Sequence, residues 1–192
     1  MAARADREEP GPNGALRGET TQGEADSGFD PYEILGALQR QRVGFVVIGA
    51  FARVVHGTRE VTEGIDITPS MRDDNLGRLG AALEELEAGG AAGSARALRD
   101  LEERVVEFET SAGELKVVAE PAGTRGYDDL RRRAQREPLG RGLRPEVASA
   151  DDLARMLGAL GRDEDIERLL RLRRLMSLDH GMSRERGHGI AR

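Results

Sequence analysis

The sequence predicts a mixed α/β fold with a small mixed sheet, flanking helices and a helical C-terminal region. Three observations carry that expectation. Residues 43–50 (VGFVVIGA) form an unbroken apolar run rich in β-branched side chains, as a central buried strand requires. Residues 61–68 (VTEGIDIT) place polar and apolar side chains alternately around Ile65 and Ile67, the period of a second strand. Between and after these runs, leucines recur three and four residues apart, the period of an amphipathic helix.

Residues 1–28 carry almost no large apolar side chain and mix Gly, Pro, Glu and Arg without period. Burial there cannot offset the entropy of ordering, so a disordered tail is expected. Asp30-Pro31 opens the folded part as an N-cap followed by a residue suited to the first helical turn. The helix expected over 31–42 shows Ile34, Leu35 and Leu38 on one stripe. After the strand at 43–50, residues 51–55 suit a short helix closed by His56-Gly57. The strand at 61–68 is stopped by Pro69, and Ser70 caps a helix over 72–88 lined by Leu76, Leu79, Leu83 and Leu86. Gly89-Gly90 ends it, and 89–95 reads as a loop.

Residues 104–110 and 114–120 alternate as two strands joined over Ser111-Ala112-Gly113. Residues 128–136 predict a short charged helix, and 145–148 a short strand. Ser149, with Asp152 three residues on, fits a capping pattern ahead of a helix to about 160. Gly161 breaks it. A last helix is expected over 163–178, carrying Ile166, Leu169, Leu170 and Met176, ended by His180-Gly181. The organisation expected is a tail over 1–28, a core over 29–148, a helical region over 149–181 and a flexible tail over 182–192.

A length of 192 residues suits one domain with tails. The absence of cysteine excludes a disulfide scaffold, a thiolate zinc site and a cysteine nucleophile. His56, His180 and His188 lie too far apart in sequence for a metal-ligand motif. Aromatics at 3% and no tryptophan argue against base-stacking platforms. No apolar run approaches the ~18 residues of a membrane span, and the N-terminus has no apolar leader, so a cytoplasmic protein is expected. Lys116 is the only lysine among 29 basic residues, which resembles the coding bias of a GC-rich bacterial genome.

The stretch that carries chemistry is residues 43–76. A buried strand ends at Gly49 and feeds a helix N-terminus, whose backbone N–H groups suit an anion. The next strand holds Asp66 between Ile65 and Ile67. Alternation places Gly64, Asp66 and Thr68 on one face and Glu63, Ile65 and Ile67 on the other. An acid in that setting is costly to bury unless a cation or a strong donor meets it.

These residues resemble the minimal nucleotidyltransferases of the polymerase-beta-like superfamily, in particular the abortive-infection toxin-type subset found in toxin–antitoxin modules. That family shows a strand ending in Gly-Gly or Gly-Ser, a His-Gly, an Arg, a Thr, and Asp-x-Asp on the next strand. Here Ile48-Gly49-Ala50, His56-Gly57, Arg59, Thr62 and Gly64-Ile65-Asp66 stand in those places. Asn75-Leu76 is similar to the start of the next family helix. Gly123, Tyr127–Leu130 (YDDL), residues 147–153 (VASADDL), Gly161-Arg162 and Asp165 are similar to its later segments. The likeness spans roughly residues 30–176.

What the resemblance implies is nucleotidyl transfer with magnesium held by Asp66, the remaining acid of the pair and the expected catalytic residue. Gly49, Ala50, Arg59, Thr62 and Lys116 are the expected nucleotide-binding positions. The chain departs from the pattern where the metal is held. Gly64 replaces the first acid, and Glu63 points to the other face. Ala50 replaces the second turn glycine, which would cost about 1 kcal/mol if a positive φ were needed. Lys116 stands where a third acid belongs, with Glu114 and Glu120 on its strand face, and Leu157 replaces a common lysine.

Two metal-binding acids out of three are thus missing, which is hard to reconcile with two-metal catalysis. The first expectation is a catalytically degenerate relative that binds a nucleotide or a partner without turnover. The alternatives are an active magnesium-dependent enzyme that moves NMP from a nucleoside triphosphate to a hydroxyl of RNA or protein, and a non-enzymatic interaction module. Without the family, Asp66 reads as a structural acid that caps a turn or pairs with Arg59, and His56 as a core or turn histidine.

Charge is uneven: residues 1–124 hold 13 basic against 23 acidic residues, and 125–192 hold 16 against 12. The basic clusters Arg131–Arg133 and Arg168, Arg171, Arg173 and Arg174 suit a nucleic-acid backbone or an acidic partner protein, including a cognate antitoxin-like partner. The interleaved Asp128, Asp163 and Glu167 suit a solvated, salt-bridged face instead.

Overall fold

The computed structural model of the chain describes residues 28–89 and 105–187. Residues 1–27 of the expected 1–28 tail, residues 90–104 (which hold most of the expected loop over 89–95) and residues 188–192 lie outside the described residues.

Helix α1 (Pro31–Arg40) starts as the sequence predicts: Asp30 Oδ1 accepts the backbone N–H of Tyr32 at 2.8 Å and of Glu33 at 3.2 Å. It ends in a Schellman turn. The N–H of Val43 donates to the Leu38 carbonyl at 2.9 Å and that of Arg42 to the Gln39 carbonyl at 3.0 Å. Arg42 takes φ +55° there, the left-handed position where glycine is the relaxed choice.

Strand β1 (Phe45–Ile48) is buried at all four positions, which is why it reads as continuous apolar sequence. Helix α2 (Gly49–Val55) begins at once, through Gly49 at φ +69°. Strand β2 (Gly64–Pro69) returns antiparallel to β1. Asn75, 2% exposed, locks the pair: it accepts the Gly44 N–H at 2.6 Å and donates to the carbonyls of Gly44 and Ser70 at 3.0 and 2.8 Å. Helix α3 (Asp73–Glu85) presents Leu76, Leu79 and Leu83 to the core, each worth about 1.5–3 kcal/mol of burial.

Strands β3 (Val105–Thr110) and β4 (Gly113–Val118) form the expected hairpin. A single turn, α4 (Tyr127–Leu130), follows. Strands β5 (Gln135–Arg136) and β6 (Glu146–Val147) pair with each other, and Val147 of β6 pairs parallel to Val47 of β1. Ser149 caps helix α5 (Ala150–Leu160), and Gly161, at φ +64°, ends it. Helix α6 (Asp163–Gly187) closes the described chain.

The sheet is mixed, with strand order β3-β4-β2-β1-β6-β5. Helices α1 and α3 pack on each other, and α1 packs against β2 and β4. Ile65, Ile67, Leu115 and Val117 are buried in the central cluster. Alternation turns Asp66 and Lys116 to the other face, where α5 walls the cleft they line.

Two sequence expectations are corrected. The charged helix over 128–136 is only one turn long, because the backbone of residues 135–136 is taken up in pairing with 146–147. The last helix does not stop at 178: it runs through His180-Gly181 to Gly187, since one interior glycine costs a helix only about 1 kcal/mol. No described helix is long and apolar enough to cross a membrane.

Candidate functional site

Asp66 sits mid-strand, with Ile48 of β1 and Lys116 of β4 as its register neighbours. Adjacent strands in register put both side chains on one face, so the carboxylate and the ammonium are drawn together by the sheet itself. Burial pushes the Asp66 carboxyl up, and the Lys116 charge and the backbone N–H of Ala50 only partly counter it. The donor at the helix N-terminus therefore serves this chain's own carboxylate. Gly49 is obligatory: a Cβ there would land on the Asp66 carboxylate, and the backbone is left-handed. Ala50 does not take a positive φ, so the cost contemplated for that replacement does not arise.

Lys116 is not a free cation. Its Nζ lies 2.7 Å from Glu107 Oε1 and 3.6 Å from Glu114 Oε1. The Glu107 hydrogen bond, with Asp66 and Glu114 nearby, raises Lys116 above the ordinary lysine range, so it stays protonated. Strand alternation alone points to Glu114 and Glu120 as its neighbours and does not flag Glu107. Counting back from the tight turn, with Thr110 opposite Gly113, places Glu107 opposite Lys116; that register was the available signal.

Asp66 and Lys116 line two clefts of about 710 Å³ each. One lies between Gly49-Ala50 and the apolar side chains of Leu153, Met156 and Leu157 on α5, with Arg162, Asp165 and Arg168 at its rim. The other runs over Thr62, Gly64 and Glu114. The expected positions are thus divided: Gly49 and Ala50 face the first cleft and Thr62 the second. Thr62 Oγ1 donates to the Gly64 carbonyl at 2.8 Å. Leu157 is buried in the wall of the first cleft.

Arg59 is exposed and lines neither of these clefts. The expected Arg59–Asp66 pair is therefore not formed. The arginine beside Gly49 is Arg53, 7% exposed and gripped by Glu60: Nε to Oε1 2.9 Å, Nη2 to Oε2 2.7 Å. Thr58 Oγ1 adds 2.8 Å to the same carboxylate. Burial acts to raise Glu60, but these bonds from Arg53 and Thr58 outweigh it and hold it low. Seven residues apart across a turn, Arg53 and Glu60 show no periodic signal in the sequence.

His56 Nε2 donates to the Ala148 carbonyl at 2.8 Å, tying the end of α2 to the entry of α5. It acts as a turn histidine. At the rim, Asp165 is 1% exposed and meets Arg162 Nε at 2.6 Å and Arg168 Nη1 at 3.2 Å. The Arg162 hydrogen bond leads in holding its carboxyl below the usual range.

The donor set does not fit the magnesium that the sequence resemblance implies. A divalent cation held in a protein takes several oxygen ligands. Here one carboxylate faces an ammonium, and Gly64 contributes no side chain. Among the described residues no three His, Cys, Asp or Glu side chains gather as a cation-binding group. An acid at position 64 would not enter freely either. A Cβ there would come 2.7 Å from the Glu114 carbonyl oxygen and 2.9 Å from its Cβ.

No family model matches the chain, and no curated protein matches it. Solved structures similar to it include a candidate nucleotidyltransferase from Thermotoga maritima, at 15% identity and TM-score 0.48, over 71% of this chain and 86% of that one. The antibiotic-resistance factor ANT(2'')-Ia is similar at 14% identity and TM-score 0.47, over 82% of this chain and 92% of that one.

Proposed function

We propose that this chain is a nucleotidyltransferase-like protein that has given up metal-dependent transfer and uses the Gly49 cleft to bind a nucleotide or a partner without turnover. The observation that carries the reading is the register pairing of Asp66 with Lys116, next to Gly64. By the family resemblance Lys116 occupies the position of the third acid, so an ammonium stands beside the one remaining carboxylate. Two-metal phosphoryl chemistry needs that region negative, so that cations can bridge the phosphates. Here burial pushes the lone carboxyl up, and the neighbouring ammonium is already held by Glu107.

The resemblance to the toxin-type subset makes a cognate protein the natural partner class. Ion pairs on α6 count against a nucleic-acid backbone at that helix: Arg171 pairs with Glu167 at 2.6 Å, and Arg168 with Asp165 at 3.2 Å. Charges already paired along a helix favour a solvated face.

The test is calorimetry with ATP, GTP, CTP and UTP, with and without magnesium, on the wild type and Asp66→Ala. Nucleotide binding indifferent to magnesium and to Asp66 supports the reading, as does no nucleotide binding together with capture of a partner protein. Magnesium-dependent binding that disappears in Asp66→Ala overturns it and restores an active enzyme.

A further inference from the structure

A third concavity, of about 320 Å³, lies at the opposite end of β1 from Gly49. Four arginines from four separate stretches of chain line it: Arg42 after α1, Arg131 after α4, Arg136 in β5 and Arg144 before β6. The acid on its wall is Glu146, 3.8 Å from Arg136. Arg131 lies 5.8 Å from the Tyr127 ring centroid, a contact that leaves its charge unneutralised. Arg42 and Arg144 have no acidic partner within ion-pair distance among the described residues. The floor is apolar: Val43, Phe45, Leu143 and Pro145 are all buried.

We propose that this pocket binds a small phosphorylated molecule, with its phosphoryl group among Arg42, Arg136 and Arg144 and its organic body on Phe45 and Leu143. The guanidinium fork matches phosphoryl oxygens two at a time. The charge balance selects the ligand: four positive groups against one carboxylate leave a surplus that a lone carboxylate cannot match. A phosphate monoester carries about −1.5 to −2. The volume stands at the low end for ligand pockets, roughly 300–1,000 Å³, which suits a nucleoside monophosphate or smaller. A flat basic surface for a nucleic-acid strand would need neither the concavity nor the apolar floor. Chain organisation supports the same reading. The β5–β6 hairpin brings Arg136 and Arg144 to a pocket whose other wall is α1, so the site exists only in the folded chain.

The test is calorimetry with inorganic phosphate, pyrophosphate and AMP on the full chain and on Arg42→Gly, Arg144→Gln and Asp66→Ala. A short RNA oligonucleotide serves as a fourth probe. Arg42→Gly removes the charge while placing the relaxed residue in a left-handed position, so its melting temperature should not fall. The expected result is binding of pyrophosphate or AMP that weakens with salt. It should drop about tenfold or more in each arginine variant and stay unchanged in Asp66→Ala. No binding by any small probe overturns the proposal, including the case where the oligonucleotide alone binds. So does binding that Arg42→Gly and Arg144→Gln leave intact, because the ligand then sits elsewhere. Arg42 and Arg144 line this pocket and not the Gly49 cleft, so nucleotide binding lost in their variants belongs here and binding that survives them belongs to the Gly49 cleft, and either reading can fail alone.

Discussion

Beyond Ile48, at the C-terminal end of β1, the cationic side chains meet opposite charges. Lys116 meets Glu107, Arg53 meets Glu60, and Arg162 and Arg168 both meet Asp165. Before Phe45, at the other end of the same strand, Arg42 and Arg144 meet none among the described residues, and Arg136 reaches Glu146 only at 3.8 Å. Both ends border a concavity. The difference teaches how to read charge in a fold. A half-buried ion must be matched as the chain folds, and once matched it has little left to offer a ligand. An exposed arginine in water costs the fold little unpaired and keeps its donors for whatever docks.

The largest test of that contrast is Glu60→Gln. It leaves the Arg53 charge nearly buried and half-satisfied, and should cost about 3 kcal/mol, read by urea denaturation at neutral pH. Because Glu60 sits below its usual range in the folded state, its contribution is present above the ordinary glutamate pKa. It is lost as pH falls through the lower folded value. The acid limb of the stability curve should therefore flatten in the variant. A loss within experimental error would show that pairing at this end of β1 is decorative.

Gly64→Asp comes next. It restores the absent acid on paper, but the close approach of β4 at Glu114 should cost roughly 1–3 kcal/mol by overpacking. Magnesium should not recover it. A melting temperature that rises with magnesium in this variant, and not in the wild type, would show that Lys116 yields to a cation.

Asp66→Asn has the smallest expected effect, and its sign is the informative part. Burial raises Asp66 in the folded state, so the folded chain holds that proton more tightly than the unfolded one. Its contribution is full below the ordinary aspartate pKa and is lost as pH rises through the higher folded value. The amide can still accept from Ala50. The variant should therefore equal or slightly exceed the wild type at neutral pH, and the gap should close toward acid. A variant clearly weaker at neutral pH would mean that the ionised carboxylate holds Lys116 in place.

The first half of the fold was legible because its punctuation is local: Asp30-Pro31 opens α1, Gly49 turns β1 into α2, and Pro69 ends β2. The stretch from 131 to 144 was not legible. Its charges mimic a helix face, and the partner that makes 135–136 a strand lies ten residues on, beyond Gly140 and Gly142. For the site, alternation along two strands was enough to set Asp66 and Lys116 on one face. Arg53 stayed hidden because Arg59 stood where the family motif has its arginine, and only the folded turn shows which of the two is buried.

The contact between Gly49 and Asp66 also fixes the order in which these positions can change. With the carboxylate in place, any side chain at 49 collides with it. Shortening residue 66 first removes the collision and leaves only the left-handed backbone, worth about 1 kcal/mol for alanine. The two substitutions are therefore epistatic. In a mutational scan, Gly49→Ala should rank among the most damaging changes in the native background and among the moderate ones after Asp66→Gly. A lineage can lose the acid and then the glycine, but the reverse path runs through a chain that does not pack.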